Sequence, residues 1–297
     1  MKALTLKGCG TALLTPFKKD GSVDFDCFAA TVDRQIAAGI HFLVPLGTTG
    51  ETPCLSLQER IGILKVAKEH SKGRPVIVGG GTNSLDATIE SMKQLEPYGP
   101  DAFLIVVPYY NKPTQEGQYR YFKAVAAATE KPIVIYNVPG RTGANMEAAT
   151  TLRLARDVEN IVAVKEASGR YSQISAVIKD APEGFSVLSG NDDETLSMMA
   201  TGAKGIVSVA SNVAPVEMVQ LAEALLADDM PKARALHHRL SPLFKNLFIE
   251  SNPIPGKAAM ARLALMENVL RLPLVPASEK TEEIIRQTLD ELKPQSV

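Results

Sequence analysis

The residue best placed to do chemistry in this chain is Lys165, which directly follows the apolar run IVAV at positions 161–164. At the end of a buried strand, its side chain would project from an apolar wall, where desolvation favours the neutral form of an amine. A neutral amine can attack a carbonyl carbon and form a Schiff base. The alternative is a structural lysine paired with a carboxylate, but the adjacent Glu166 would point to the opposite face of a strand. Because buried lysines without a chemical task are rare, we expect Lys165 to be a nucleophile.

Other polar side chains also follow apolar runs. Tyr136 ends one such run, and its phenol could move protons to and from a carbonyl substrate. Thr48 and Thr49 lie in a glycine-flanked turn whose hydroxyl and N–H groups could bind a carboxylate, and Arg141 suits bidentate carboxylate binding. Each residue alone has a structural interpretation, as a core tyrosine, a tight loop or a solvated arginine. Their positions at successive run ends favour one shared site.

The elements that must position these residues form an alternating pattern. Short runs of continuous apolarity, typical of strands buried on both faces, alternate with stretches whose apolar residues recur about every 3.6 positions. Eight strands over about 230 residues are typical of a (β/α)₈ TIM barrel, whose chemistry lies at the carboxyl ends of the strands. An open doubly wound sheet is the alternative, but it usually shows a glycine fingerprint where this chain reads TPFKKDGS. The eight runs are CGTALLT, HFLVPLG, PVIVGG, DAFLIVVP, PIVIYNVP, NIVAVKEA, FSVLSG and KGIVSVAS.

The pattern changes near Asp229, after which no strand-like run follows. We therefore predict a catalytic barrel over residues 1–228 and a C-terminal helical domain over residues 229–297 that packs on it. The helical stretches of the second part are KARALHHRLSPLFKNLF, GKAAMARLALMENVL and SEKTEEIIRQTLDEL. Helix N-caps of the barrel are predicted at Asp24, Ser56, Ser84 and Thr114.

The composition limits the classes of function. The chain has 297 residues, 45% of them hydrophobic, and a formal net charge of −1. This composition is typical of a globular protein, and the near-zero net charge gives no basic surface that would attract nucleic acid or an anionic membrane. No apolar run approaches the roughly 18–20 residues of a membrane span. Three widely spaced cysteines argue against a disulfide framework and suit a reducing compartment, so we expect a cytoplasmic enzyme with a small-molecule substrate.

We expect neither a metal nor a cofactor. His237 and His238 are adjacent in a helical stretch, so their side chains point about 100° apart and form no metal-binding face. The glycine run at 79–81 lacks the GK[ST] ending of a phosphate-binding loop, and residues 191–194 lack the spacing of a calcium loop. The expected chemistry is a covalent imine on Lys165.

Several motifs together resemble the dihydrodipicolinate synthase family of pyruvate-dependent class I aldolases. They fall in family order, and the similarity runs from Gly10 to the proline loop at 272–273 and beyond. The lysine motif and the Tyr-Asn-Val-Pro motif are highly specific in combination. The motifs are GTTGE at 47–51, PYYN at 108–111, YNVPGRTG at 136–143, VKEAS at 164–168, LSGND at 188–192 and NPIP at 252–255.

The resemblance implies an enzyme, usually a homotetramer, that condenses pyruvate with L-aspartate 4-semialdehyde on the diaminopimelate route to L-lysine. It implies that Lys165 forms the Schiff base and that Tyr136 moves protons to and from the bound substrate. Thr49 and Tyr110 would be relay partners, with Tyr110 reaching into the neighbouring subunit's site. The matching substrate-binding positions are Thr48, Thr49 and Gly190 around the pyruvate carboxylate, Arg141 at the semialdehyde carboxylate, and Val207, whose backbone carbonyl would lie near the lysine.

Two other functions stay open at this point. A sibling aldolase or lyase that cleaves a 2-keto-3-deoxy acid to pyruvate, such as N-acetylneuraminate lyase, would share the lysine and the tyrosine. Those lyases typically have Ser-Thr in place of Thr48-Thr49 and no arginine in place of Arg141, so both differences favour the synthase. An inactive barrel kept for binding or regulation would have lost Lys165 or Tyr136, and both are present.

The resemblance also implies an effector cleft at a subunit interface, where lysine-inhibited members bind L-lysine. Asn83 and Tyr109 match that cleft, but its glutamate position is Ala87 and two imidazole positions are Leu57 and Arg60. A lost carboxylate and a gained cation predict that L-lysine inhibits weakly or not at all. The cleft positions are Thr52, Leu57, Arg60, Asn83, Ala87 and Tyr109.

Overall fold

Eight parallel strands form the central sheet of the protein, for which the computed structural model describes residues 4–295. The strands are β1 (Gly8–Ala12), β2 (Phe42–Val44), β3 (Ile77–Gly79), β4 (Ala102–Val106), β5 (Ile133–Asn137), β6 (Ile161–Glu166), β7 (Ser186–Ser189) and β8 (Gly205–Ser208). Their order is β2-β1-β8-β7-β6-β5-β4-β3, and Leu43 of β2 forms a parallel bridge with Val76, next to β3. Because this bridge joins the two edges, the sheet closes into a barrel, and all eight predicted strands are confirmed.

A helix follows each strand and packs outside the barrel. These helices are α1 (Phe25–Ala37), α2 (Leu57–His70), α3 (Leu85–Leu95), α4 (Gln115–Ala127), the short α5 (Pro139–Thr142), α6 (Ala148–Asp157), α7 (Tyr171–Asp180), α8 (Thr195–Ala200) and α9 (Pro215–Leu226). The four predicted N-caps are confirmed, since each side chain accepts a hydrogen bond from a backbone N–H of the first turn. No helix within residues 4–295 is long and apolar enough to cross a membrane.

Three further helices form the C-terminal region: α10 (Met230–Asn246), α11 (Ile254–Arg262) and α12 (Glu279–Leu292). The Asp229 side chain caps α10 by accepting a hydrogen bond from the Lys232 N–H at 3.1 Å, so the predicted domain boundary falls in the turn before this helix. α10 packs on α9 and α12, and α11 packs on α12. Residues 1–3 and 296–297, at the outer ends of the two predicted domains, lie outside the described residues.

The predicted helix over residues 256–270 is wrong beyond Arg262, where α11 ends. Ala264 adopts a left-handed conformation with φ 57°. The N–H of Leu265 donates to the carbonyl of Met260, and the N–H of Ala264 donates to that of Ala261, at 3.0 and 2.9 Å. This is the Schellman arrangement, which usually has glycine at the left-handed position. The sequence carries no such glycine, so the helix end had no local signal.

Candidate active site

Lys165 and Tyr136 lie side by side at the carboxyl ends of β6 and β5, where they are register partners. Their side chains point to the same face of the sheet, into the barrel. Both residues are nearly buried, at 6% and 7% exposure, and Lys165 Nζ lies 4.1 Å from the centroid of the Tyr136 ring. A carbon atom bonded to this nitrogen would therefore lie beside the phenol.

Gly190, directly after β7, leaves room for the lysine side chain. A Cβ atom at this position would lie 2.6 Å from Ala167 Cβ and 3.2 Å from Lys165 Cε. The Gly190 N–H is fixed by a hydrogen bond of 2.8 Å to the carbonyl of Glu166. The backbone therefore approaches Lys165 more closely than a residue with a side chain would allow.

A cavity of about 50 Å³ is lined in part by Lys165. That volume admits a few water-sized groups and suits a small ligand. The fold brings together six residues named from the sequence on its wall: Thr48, Thr49, Tyr136, Arg141, Lys165 and Gly190. The wall also includes residues that the sequence interpretation did not assign to the site, among them Val138, Asn191, Val209, Phe248 and Asn252.

Asn252 connects two of the cavity residues. Its side-chain amide donates a hydrogen bond of 3.0 Å to Thr49 Oγ1, and its backbone carbonyl accepts one of 3.3 Å from Arg141 Nη2. Asn252 lies in the loop before α11, so the C-terminal region contributes directly to the site. The sequence marks Asn252 only as part of the NPIP motif, because this residue does not follow a strand.

Two of the predicted catalytic and substrate-binding residues are not on the wall of this cavity in the described chain. Val207 is buried in β8, where it pairs with Gly10, and the residue near this strand that lines the cavity is Val209. Tyr110 is 86% exposed, with φ 71°. The N–H of Asn111 donates to the carbonyl of Tyr109 at 2.8 Å, so Tyr110 is the centre of a γ-turn with positive φ, a rare and strained conformation.

A second cavity of about 460 Å³ adjoins the first and shares Thr48, Tyr136 and Arg141 with it. Of the six predicted effector positions, Thr52, Arg60 and Tyr109 line it, whereas Leu57, Asn83 and Ala87 do not. Arg60 Nε is buried and has no hydrogen-bond partner within residues 4–295. The charged residues among those that line the cavity are Arg60 and Arg141. The described wall is therefore cationic.

Two buried carboxylates lie near the site without pairing with Lys165. Glu166 accepts hydrogen bonds from the Asn137 side chain and from the Ser168 N–H, and burial raises the pKa of Glu166 above its ordinary value. Burial also raises the pKa of Asp192. None of the ion pairs within residues 4–295 includes Lys165. Within the described chain, Lys165 therefore has no carboxylate partner with which it could form a structural ion pair.

Asp192 instead organises the loop after β8. It accepts hydrogen bonds from Ser208 Oγ and from the N–H groups of Val209 and Ala210, the last two at 3.1 and 3.0 Å. These contacts fix Val209 at the cavity wall. Within residues 4–295, no group of three or more His, Cys, Asp and Glu side chains is arranged to hold a metal ion.

A family model described as the dihydrodipicolinate synthetase family matches residues 5–292. The chain belongs to this family. The 4-hydroxy-tetrahydrodipicolinate synthase of Phocaeicola vulgatus is 47% identical over 289 residues, which cover 97% of each chain. The enzyme of that name from Koribacter versatilis is 51% identical over 275 residues, 92% of this chain and 91% of its own. The crystal structure of dihydrodipicolinate synthase from Thermotoga maritima matches with a TM-score of 0.96 at 45% identity, covering 98% of this chain and 99% of the other.

These similarities confirm the resemblance found in the sequence motifs, and the structural match confirms the predicted (β/α)₈ barrel. They also confirm the predicted class of enzyme, a lyase of lysine biosynthesis. Because this dihydrodipicolinate synthetase family member keeps both Lys165 and Tyr136 on the cavity wall, nothing in the described site favours the inactive barrel.

Proposed function

We propose that this chain condenses pyruvate with L-aspartate 4-semialdehyde, the reaction of a 4-hydroxy-tetrahydrodipicolinate synthase, in the diaminopimelate route to L-lysine. The observation that carries the proposal is the pairing of a buried Lys165 amine with the Tyr136 ring at 4.1 Å, on the wall of a small cavity that also exposes Thr48 and Arg141. Family membership supports the same reaction.

Lys165 is the nucleophile of the proposed reaction. Its neutral amine attacks the keto carbon of pyruvate, a C–N bond forms, and the keto oxygen leaves as water, which gives an imine. Loss of a methyl proton converts this imine to an enamine, whose carbon attacks the aldehyde of the second substrate and forms the new C–C bond. The amino group of that substrate then attacks the imine carbon and displaces Lys165, which closes the ring. Tyr136, beside the nitrogen, supplies and removes protons in these steps, and no metal or other cofactor is required.

The two carboxylates of the substrates need separate partners. Thr48 and Thr49 begin a short 3₁₀ turn (Thr48–Gly50), and the first N–H groups of such a turn have no partner within it. Together with the Thr49 hydroxyl, they suit the carboxylate of pyruvate. Arg141 donates one hydrogen bond to the Asn252 carbonyl, and its remaining donors suit the carboxylate of the semialdehyde.

We also propose a cytoplasmic homotetramer in which Tyr110 enters the site of a neighbouring subunit and completes the relay with Thr49. An aromatic side chain that is 86% exposed in a strained turn supports this role, because strained, exposed conformations concentrate at functional sites. The three free cysteines suit a reducing compartment. Analytical ultracentrifugation tests the tetramer, and inactive Tyr110→Phe mixed with inactive Lys165→Arg should regain activity if the tyrosine acts across subunits.

The decisive experiment is an activity comparison. Pyruvate and L-aspartate 4-semialdehyde should be consumed together, in a coupled assay, while N-acetylneuraminate and 2-keto-3-deoxygluconate are not cleaved. Cleavage of either sugar acid with no condensation would instead assign the chain to the sibling aldolases.

A further inference from the structure

A buried ion pair connects the C-terminal region to the barrel. Lys257 of α11 has its Nζ 2.5 Å from Glu51 Oε1, and both side chains are completely buried. Lys257 Nζ also donates a hydrogen bond of 2.7 Å to the Val269 carbonyl and lies 3.9 Å from the centroid of the Phe17 ring. Loss of either partner would leave the other charge buried and unpaired, which is strongly destabilising, so the two side chains are expected to stay together.

Glu51 is continuous with the substrate-binding turn. It directly follows the turn Thr48–Gly50, and its own N–H donates to the Thr48 carbonyl at 3.1 Å. Its backbone is left-handed, with φ 52°. The second carboxylate oxygen accepts a hydrogen bond of 3.1 Å from the N–H of Arg271. Because Glu51 adjoins the turn in the chain, and its side chain is held by Lys257 and by the Arg271 N–H, a shift of its carboxylate would move the end of the turn.

The same turn is held a second time by the same C-terminal segment. Asn252, before α11, donates to Thr49 Oγ1, whereas Lys257, in the helix, contacts Glu51. The N–H of Lys257 donates to the carbonyl of Pro253 at 3.0 Å, which joins the two contact points through the first turn of α11. The segment 252–257 therefore contacts both the middle and the end of the turn.

We propose that the Glu51–Lys257 ion pair is a positioning device that holds Thr49 in the geometry needed for proton transfer with Tyr136. Neither residue lines the cavity, so both act through the turn and not on the substrate. The proposal rests on the proposed function, in which Thr49 serves the relay and the pyruvate carboxylate. It makes α11 a working part of the active site.

The charges around Lys257 support an intact pair at neutral pH. Burial lowers the pKa of Lys257 to about 8, and the negative charge of Glu51 opposes this shift. Arg271, the other cation that acts on Lys257, is itself paired with Glu59. Glu51 is thus the counter-charge of Lys257, and its removal would leave the lysine facing Arg271 alone.

The test compares Glu51→Gln and Lys257→Met with the control Glu217→Gln. Glu217 is an equally buried carboxylate on α9, and it accepts a hydrogen bond from the Gln295 N–H. Neither Glu217 nor Gln295 lines either of the two cavities. Both test variants should lose kcat by about 10- to 100-fold, the effect expected when a catalytic group shifts by about an ångström. Trapping of pyruvate on Lys165 by borohydride should fall less than kcat, because Lys165 and Tyr136 lie on β6 and β5, whereas the pair acts on the turn after β2. The control should keep kcat within about twofold of wild type.

Three results would overturn the proposal: unchanged kcat in folded test variants, an equal loss of kcat in the control, or loss of imine trapping in step with kcat. If the neutral variants do not fold, Glu51→Asp and Lys257→Arg keep both charges while moving them, and kcat should then fall by a larger factor than the KM for pyruvate rises. If wild type itself neither traps pyruvate nor condenses the substrates, the proposed function has failed, and not the positioning role.

Discussion

Asn252 donates its side-chain amide to Thr49 Oγ1 at 3.0 Å, although 203 residues separate the two in sequence. The contact crosses from the loop before α11 to the turn after β2. Since the Asn252 carbonyl also accepts from Arg141, one residue of the C-terminal region contacts groups proposed to bind both substrates. In this barrel, the strand ends supply the side chains that we propose to react, and the C-terminal region contacts two of the residues that we propose to bind the substrates.

Lys165→Arg should abolish condensation while leaving the barrel folded. Arginine stays protonated and cannot act as the nucleophile, yet its side chain is of similar length. Borohydride added with pyruvate should attach a reduced pyruvyl group to Lys165 of wild type and to no residue of the variant, as peptide mass mapping would show. Lys123→Arg, at an exposed position on α4, serves as the control for lysine replacement, since it should still be trapped. An adduct on another lysine would refute the mechanism.

Arg141→Ala should raise the KM for the semialdehyde far more than it changes the KM for pyruvate. Loss of a charged hydrogen-bond partner should weaken semialdehyde binding by about 1.5–3 kcal/mol, roughly 10- to 150-fold. Imine formation with pyruvate should continue, because the arginine makes no described contact with Lys165. The matched control is Arg120→Ala, which removes an exposed arginine paired with Glu116 on α4. A semialdehyde KM equal to that of wild type would return Arg141 to the role of a loop arginine.

Local chemistry explains which features the sequence predicts. The four N-caps depend on neighbours within three residues, and Lys165 and Tyr136 can be located because each ends an apolar run. Asn252 and Lys257 carry no such signal, since their partners lie at Thr49 and Glu51, far away in sequence. Their contacts arise only when α11 packs against the barrel mouth.

Gly190→Ala should impair imine formation. The added methyl group would meet Ala167 Cβ at 2.6 Å and Lys165 Cε at 3.2 Å, so either β7 or the lysine side chain must move. Overpacking of this kind typically costs about 1–3 kcal/mol, and here the strain falls on the nucleophile. The rate of borohydride trapping should drop by roughly 10-fold or more, as a shift in the attacking atom requires. Gly140→Ala is the control, because within residues 4–295 a Cβ built there has no atom within 4 Å apart from its chain neighbours and the backbone of its own helix. Equal trapping rates in the two variants would contradict the close approach.

The Glu59–Arg271 pair should make stability depend on pH in acid. The hydrogen bond from Arg271 lowers the pKa of Glu59 to about 2, from an ordinary value of 4.5. Because the folded state binds this proton less tightly, the stabilisation is present above pH 4.5 and is lost as pH falls from about 4.5 towards 2. Glu59→Gln keeps a side chain that can accept at the capping box of α2 but removes the charge.

The Tm of wild type should therefore exceed that of Glu59→Gln at about pH 6, above the titration window, and the difference should shrink on acidification to about pH 3, inside that window. Thermal unfolding followed by circular dichroism at several pH values measures this. Glu130→Gln, at an exposed position, should show no such convergence. A Tm difference that stays constant over the window would show that the charge of Glu59 contributes nothing.

L-Lysine should inhibit this enzyme weakly or not at all. Among residues 4–295, the charged residues on the wall of the larger cavity are Arg60 and Arg141, and Arg60 Nε is buried without a hydrogen-bond partner, so a cationic ligand meets repulsion there. The position at which the resemblance implies a carboxylate is Ala87, which is exposed and lies in the first turn of α3. The missing charged contact is worth about 1.5–3 kcal/mol, or roughly one to two decades of affinity. Titration of L-lysine into the coupled assay measures the effect. Ala87→Glu should strengthen inhibition and the neutral Ala87→Gln should not, whereas half-inhibition of wild type at submillimolar L-lysine would show that another acidic group binds the ligand's ammonium.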